Sequence, residues 1–133
     1  MNDFAFSLLI CLEGLRLKAY QDSGGVWTIA CGHTKNVQPS DTCTYSQAIE
    51  WLQEDEAPTF AHISTFDPLS QAAYISFGIN CGIGALTKVL NGQDSISNPI
   101  HTTDRHGNVL GGLVARRNLE LSLLELAKIG VKV

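Results

Sequence analysis

Phe4, Leu8, Leu9 and Leu12 recur at helical spacing near the start of the chain, with Asp3 in position to cap the helix. Gly14 stands where a left-handed residue would end it. From Leu17 to Thr34 the period shortens: Leu17 and Ala19, then Val26, Trp27 and Ile29, flank Ser23-Gly24-Gly25, which predicts a β-hairpin. Helical patterns then return over Tyr45–Glu54, over Pro68–Cys81 with Asp67 as its cap, over Gly84–Leu90 and over Leu113–Lys128. A short strand region placed between a first helix and a run of helices is an α+β arrangement, with a small β-hairpin lobe, a larger helical lobe and a cleft between them.

Length and composition narrow the class. At 133 residues the chain is sized for one domain, residues 1–133, able to bury a core without staples. Apolar residues at 44% and charged residues at 17% fit a globular protein rather than a disordered one. The formal charge of −4 argues against nucleic acid as a partner, because phosphate binding needs clustered Lys and Arg. The apolar run Phe4–Leu12 lacks a basic flank and a small-residue cleavage site, and Glu13 interrupts it well short of membrane-spanning length. It reads as a core helix, with no stable membrane insertion expected. Cys11, Cys31, Cys43 and Cys81 show no Cys-x-x-Cys spacing, so neither a metal nor any other cofactor is expected. Free thiols are the expectation, with a Cys31–Cys43 bridge as the alternative.

The chemistry concentrates in the first third. Glu13 falls in the last turn of the first helix, where the helix dipole disfavours a charged carboxylate; with partial burial, this suits a group that must hold a proton. Asp22 enters the hairpin turn and Thr28 leaves it, close enough for one water to bond to both. Cleaving a glycosidic bond needs such a set: one carboxyl protonates the departing oxygen while a second prepares a water or stabilises the sugar cation. Each residue also has an ordinary reading. Glu13 could pair with Arg16 or Lys18, Asp22 could simply make the turn, and Thr28 could be a β-branched strand residue.

The spacing of these residues resembles a known family. Glu13 and Asp22 with eight residues between them, Thr28 after five more, and then Gly32-His33 are similar to the N-terminal signature of phage lysozymes, the endolysins of glycoside hydrolase family 24. Ser76-Phe-Gly-Ile-Asn80-Cys-Gly82 resembles that family's aromatic-Asn-x-Gly helix motif. Gly112-Leu-Val-Ala-Arg-Arg117-Asn-Leu-Glu120 resembles its closing Gly-Leu-x-x-Arg-Arg-x-x-Glu helix. The resemblance implies a lysozyme-like fold and a muramidase cutting the β-1,4 bond between N-acetylmuramic acid and N-acetylglucosamine in peptidoglycan glycan strands. It implies Glu13, Asp22 and Thr28 as catalytic residues and Thr34, Ile79 and Asn80 as substrate contacts. It also implies a monomer that waits in the host cytoplasm until a holin opens the membrane, and then reaches the wall. A lytic transglycosylase using Glu13 alone, a chitin-cleaving relative and a catalytically silent wall-binding module are the alternatives.

Other polar residues have structural expectations. His33 is expected to be a buried polar residue that holds the lobes together through a carboxylate or carbonyl. His101, Asp104 and His106 have a metal-like spacing but lie in a loop-like stretch. Asn80 could donate to a saccharide or tie helices together, and an aromatic is common where Ile79 stands. Arg116, Arg117 and Glu120 are expected to form a charge network, with Arg117 alternatively facing the cleft. Residues 93–110 are polar where family members carry a Trp-bearing helix, leaving one wall of the groove short or mobile. Ala30-Cys31 replaces the commoner Gly-aromatic pair ahead of Gly32-His33.

Overall fold

The computed structural model describes residues 1–133. In chain order the elements are α1 (Asp3–Glu13), β1 (Arg16–Gln21), β2 (Trp27–Ala30), α2 (Tyr45–Ala61), α3 (Pro68–Cys81), α4 (Ile83–Leu90), a 3-10 turn (Pro99–Thr102) and α5 (Gly111–Lys128). β1 and β2 form the single antiparallel sheet, so the α+β class read from the pattern is correct. Two compact units emerge: a hairpin unit, Phe6–Pro58, and a helical unit made of Met1–Ala5 and Thr59–Val133. The hairpin unit is more than a hairpin, since it contains most of α1 and α2.

The cap of α1 corrects the expectation. Asn2, not Asp3, caps the helix, its Oδ1 accepting the Ala5 N–H at 2.9 Å, and Asp3 lies in the first turn. At the other end Gly14 takes φ +79° and donates to the Ile10 carbonyl, stopping the helix directly after Glu13. α2 opens on a reciprocal box in which Thr44 Oγ1 accepts the Gln47 N–H and Gln47 Oε1 accepts the Thr44 N–H. It runs past the expected Glu54 to Ala61 with Pro58 inside. A proline supplies no N–H to the turn before it, and the division between the two units falls at this residue.

In the hairpin unit Ile29, Ala30 and Ala48 form a buried cluster flanked by Leu15, Val37, Cys43 and Trp51. β2 thereby packs on the face of α2 that carries Ala48 and Trp51. β1 also pairs on its outer edge, with Ala19 N–H donating to Asp41 O and Cys43 N–H to Leu17 O.

The helical unit is built on α3, whose spacing from Pro68 to Cys81 matches the expected range. Asp67 accepts from the Leu69 and Ser70 N–H groups at 3.0 Å each. Leu69, Ala72, Ala73, Ile75 and Phe77 are buried along it, with Leu86 of α4 and Leu123 of α5. Between α3 and α5 lies a charge network. Glu120 is fully buried; its Oε1 accepts from Ser76 Oγ at 2.5 Å and from Arg117 Nη2 at 2.8 Å. Arg117 Nε is a further 2.7 Å from Oε2, an ion-pair contact without hydrogen-bond alignment. Burial pushes the Glu120 carboxyl up, against Ser76 and Arg117, which pull it down. The stronger partner of Glu120 is therefore Arg117, with Arg116 Nε at 3.7 Å. Arg117 is buried under the Phe77 ring and also donates to the His101 carbonyl, so it belongs to the interior of this unit and not to an open groove.

The stretch 93–110 is laced by local hydrogen bonds. Asp94 accepts from Asn98 and the Ser95 N–H and meets His101 Nε2 at 2.8 Å, which holds its carboxyl at about 2. Thr103 bridges Val109 across a turn built on Asp104. Removing one partner of a buried pair strands the other charge, at a cost of about 3–5 kcal/mol. Glu120→Ala is therefore expected to lose about that much stability in a denaturant titration, and a loss below about 1 kcal/mol would show that the network does not hold α3 to α5.

Candidate active site

All three catalytic candidates lie in the hairpin unit. Glu13 is the last residue of α1 and half-buried. Its position follows from Gly14, because the left-handed turn there releases the chain from the helix and sends it into β1 within two residues. The Glu13 charge is felt in the turn after β2: burial first, then Glu13, then Cys43 push the Cys31 thiol up.

Asp22 and Thr28 are joined through one atom. The Val26 carbonyl accepts the Asp22 N–H at 2.9 Å and the Thr28 hydroxyl at 2.9 Å. Asp22 Oδ1 in turn accepts the Gly24 and Val26 N–H groups, each at 2.9 Å, and Gly25 turns the chain at φ +81°. Asp22 thus makes the turn through Oδ1. Tyr20 pairs directly with Thr28, so Tyr20, Asp22 and Thr28 share one face of the ribbon. Asp22 is exposed and Thr28 is buried to 4%. The Thr28 hydroxyl has committed its proton to Val26 and can only accept from a ligand.

His33 has the carboxylate partner expected of it, but both residues belong to the hairpin unit. Its Nδ1 lies 2.7 Å from Asp55 Oδ2, and its ring stacks on Trp51 at 4.6 Å and 6°. It ties the end of the hairpin to α2 rather than joining the two units. Trp51 and Asp55 are one helical turn apart on α2, a spacing visible in the sequence that pointed to no partner without the fold. Thr34 follows, exposed. Ile79 is half-buried and Asn80 exposed near the end of α3, in the helical unit. In the same unit the His101 imidazole is held by Asp94, and Asp104 serves the backbone of His106 and Asn108. The four cysteines are free thiols.

The phage lysozyme family pattern matches residues 11–120, spanning Glu13, Asp22, Thr28 and the closing Arg-Arg-x-x-Glu helix. The chain belongs to the phage lysozyme family. It is 38% identical over 132 residues to an endolysin of Acyrthosiphon pisum secondary endosymbiont phage 1, covering 86% of this chain and 90% of that protein. It is 29% identical over 123 residues to a SAR-endolysin of Bacteriophage PS34, covering 82% and 74%. Among solved structures, the muramidase domain of SpmX from Asticaccaulis excentricus aligns with a TM-score of 0.72 at 27% identity, over 92% of this chain and 95% of that one. The fold is lysozyme-like, and the chain is a lysozyme-class glycoside hydrolase, a phage peptidoglycan hydrolase.

The departure at Ala30 has a structural counterpart. Ala30 is a non-glycine residue at φ +58°, 2% exposed, in the tight turn where Ile29 and His33 exchange both backbone hydrogen bonds. The left-handed conformation costs an L-residue about 1–2 kcal/mol. Its buried methyl offsets about 0.8 kcal/mol of that, and the stiffer unfolded chain offsets about 0.4–1 kcal/mol more. These terms nearly cancel. Ala30→Gly is accordingly expected to stay within about 1 kcal/mol of wild type in urea unfolding, whereas Ala30→Val, branched and larger at a positive φ, loses about 2 kcal/mol or more. Equal stabilities for the two variants would contradict this balance.

Proposed function

We propose that residues 1–133 work as one catalytic domain that cuts the β-1,4 bond between N-acetylmuramic acid and N-acetylglucosamine. Glu13 protonates the leaving oxygen, and Asp22 with Thr28 holds the attacking water. The observation that supports this reading is the shared Val26 carbonyl, which accepts from the Asp22 N–H and from the Thr28 hydroxyl and so links the two residues across the hairpin. A held water also favours inversion at the anomeric carbon, the outcome linked to carboxyl groups about 6.5–9.5 Å apart, over the covalent route open at about 5 Å. Thr34, Ile79 and Asn80 are assigned to saccharide contacts, and no cofactor enters the reaction.

The assay is release of reducing ends from purified peptidoglycan. Glu13→Gln is expected to lose at least about a hundredfold, the lower end of what a general acid supplies. Thr28→Val is expected to lose about a hundredfold through misplacement of the water, with Thr28→Ser restoring most of it. Anhydro ends in the wild-type digest would assign a transglycosylase instead, and an active Glu13→Gln would remove the acid from this position.

We further propose that the enzyme waits in the host cytoplasm and reaches the wall through a membrane lesion made by a holin. No helix is long and apolar enough to cross a membrane. Cells expressing the chain alone should stay intact until the membrane is permeabilised, and prompt lysis without any permeabilising agent would refute this route.

A further inference from the structure

Arg16 and Tyr20 form an unassigned feature on the catalytic face of the ribbon. The Arg16 guanidinium carbon lies 4.3 Å from the centre of the Tyr20 ring. Arg16 pairs with Ala30 and Tyr20 with Thr28, and an irregularity in β1 absorbs the residues between the two pairs. Directly opposed residues in an antiparallel ladder point to the same side. Tyr20, Asp22 and Thr28 therefore share a face, and the Arg16 guanidinium is brought to it by its contact with the Tyr20 ring. Tyr20 and Asp22 are two strand residues apart, about 7 Å, and the guanidinium sits over the Tyr20 ring.

The charge state of this pair is the second observation. Arg16 is exposed and is not a partner in the ion pairs made by His33, His101, Arg116, Arg117 and Lys128. Stacking on the ring orients the guanidinium while leaving its in-plane N–H donors unused. A flat guanidinium with unused donors matches a carboxylate, which it binds through two parallel hydrogen bonds. Muramyl sugars in peptidoglycan carry peptide stems ending in free carboxylates, whereas the glycan backbone itself has none.

Resting on the muramidase reading above, the geometry points to Arg16, oriented by Tyr20, as a specificity determinant that binds a carboxylate of the substrate's peptide stem next to the water-holding pair. Arg16 selects which glycan is presented and takes no part in bond cleavage.

The test compares native peptidoglycan sacculi with sacculi whose stem carboxylates have been converted to amides by carbodiimide and ammonia, scoring reducing ends against substrate concentration. Wild type is expected to favour the native sacculi about tenfold in kcat/KM, mostly through KM. Arg16→Gln reduces this preference to about twofold or less, Arg16→Lys keeps part of it, and Tyr20→Leu lowers it by freeing the guanidinium. A pair that only stabilises the ribbon would lower activity on both substrates alike and leave the preference intact in Arg16→Gln. That result overturns the inference, as does a wild type without preference. A wild type that releases reducing ends from neither substrate defeats the hydrolase reading itself.

Discussion

One backbone carbonyl carries much of this site. Val26 O closes the hairpin by accepting the Asp22 N–H, and the same oxygen takes the Thr28 hydroxyl. The turn cannot form without setting Asp22, and Thr28 cannot rotate freely without giving up its bond. Two side chains that would otherwise be free to sample several rotamers are thus placed by local structure. The arrangement needs a residue able to turn at positive φ, supplied by Gly25, and a carboxylate with an oxygen to spare for the two N–H groups of the turn.

The elements around the ribbon serve to hold it still. Ala30 accepts a left-handed conformation so that β2 can reverse into His33, and the His33 imidazole is clamped between the Asp55 carboxylate and the Trp51 ring on α2. Glu13 approaches from the other side of the sequence, released from α1 by Gly14, and its charge reaches Cys31 in that same reversal. Glu13, the Asp22–Thr28 pair and their support thus come from three consecutive segments of one unit. In the helical unit the equivalent role falls to Glu120 and Arg117, a buried charge pair kept in place by Ser76. Such a pair adds little net stability over an apolar filling, so we read it as a device that sets the register of α5 on α3.

Much of this was legible in the chain. The apolar spacing gave α1, the hairpin and α3–α5 within a few residues, because helix and strand periods and the Gly and Pro signals are local properties. The Glu13, Asp22 and Thr28 set was equally legible, since its spacing is fixed by one helix end and one tight turn. Where local signals conflicted, the reading went astray: Asp3 looked like a cap although Asn2 makes the bond, and the pattern ending at Glu54 stopped short of an α2 that runs on through Pro58 to Ala61.

The sequence by itself determined the order of elements, the family and the acids at a helix tip and a hairpin turn, because each depends on contacts between near neighbours. Only the tertiary structure decided that His33 finds Asp55 and Trp51, that Arg117 turns inward to Glu120, and that the Arg16 guanidinium sits over the Tyr20 ring. Those outcomes depend on which faces of distant segments meet and on strand register, and no residue pattern along the chain specifies them alone.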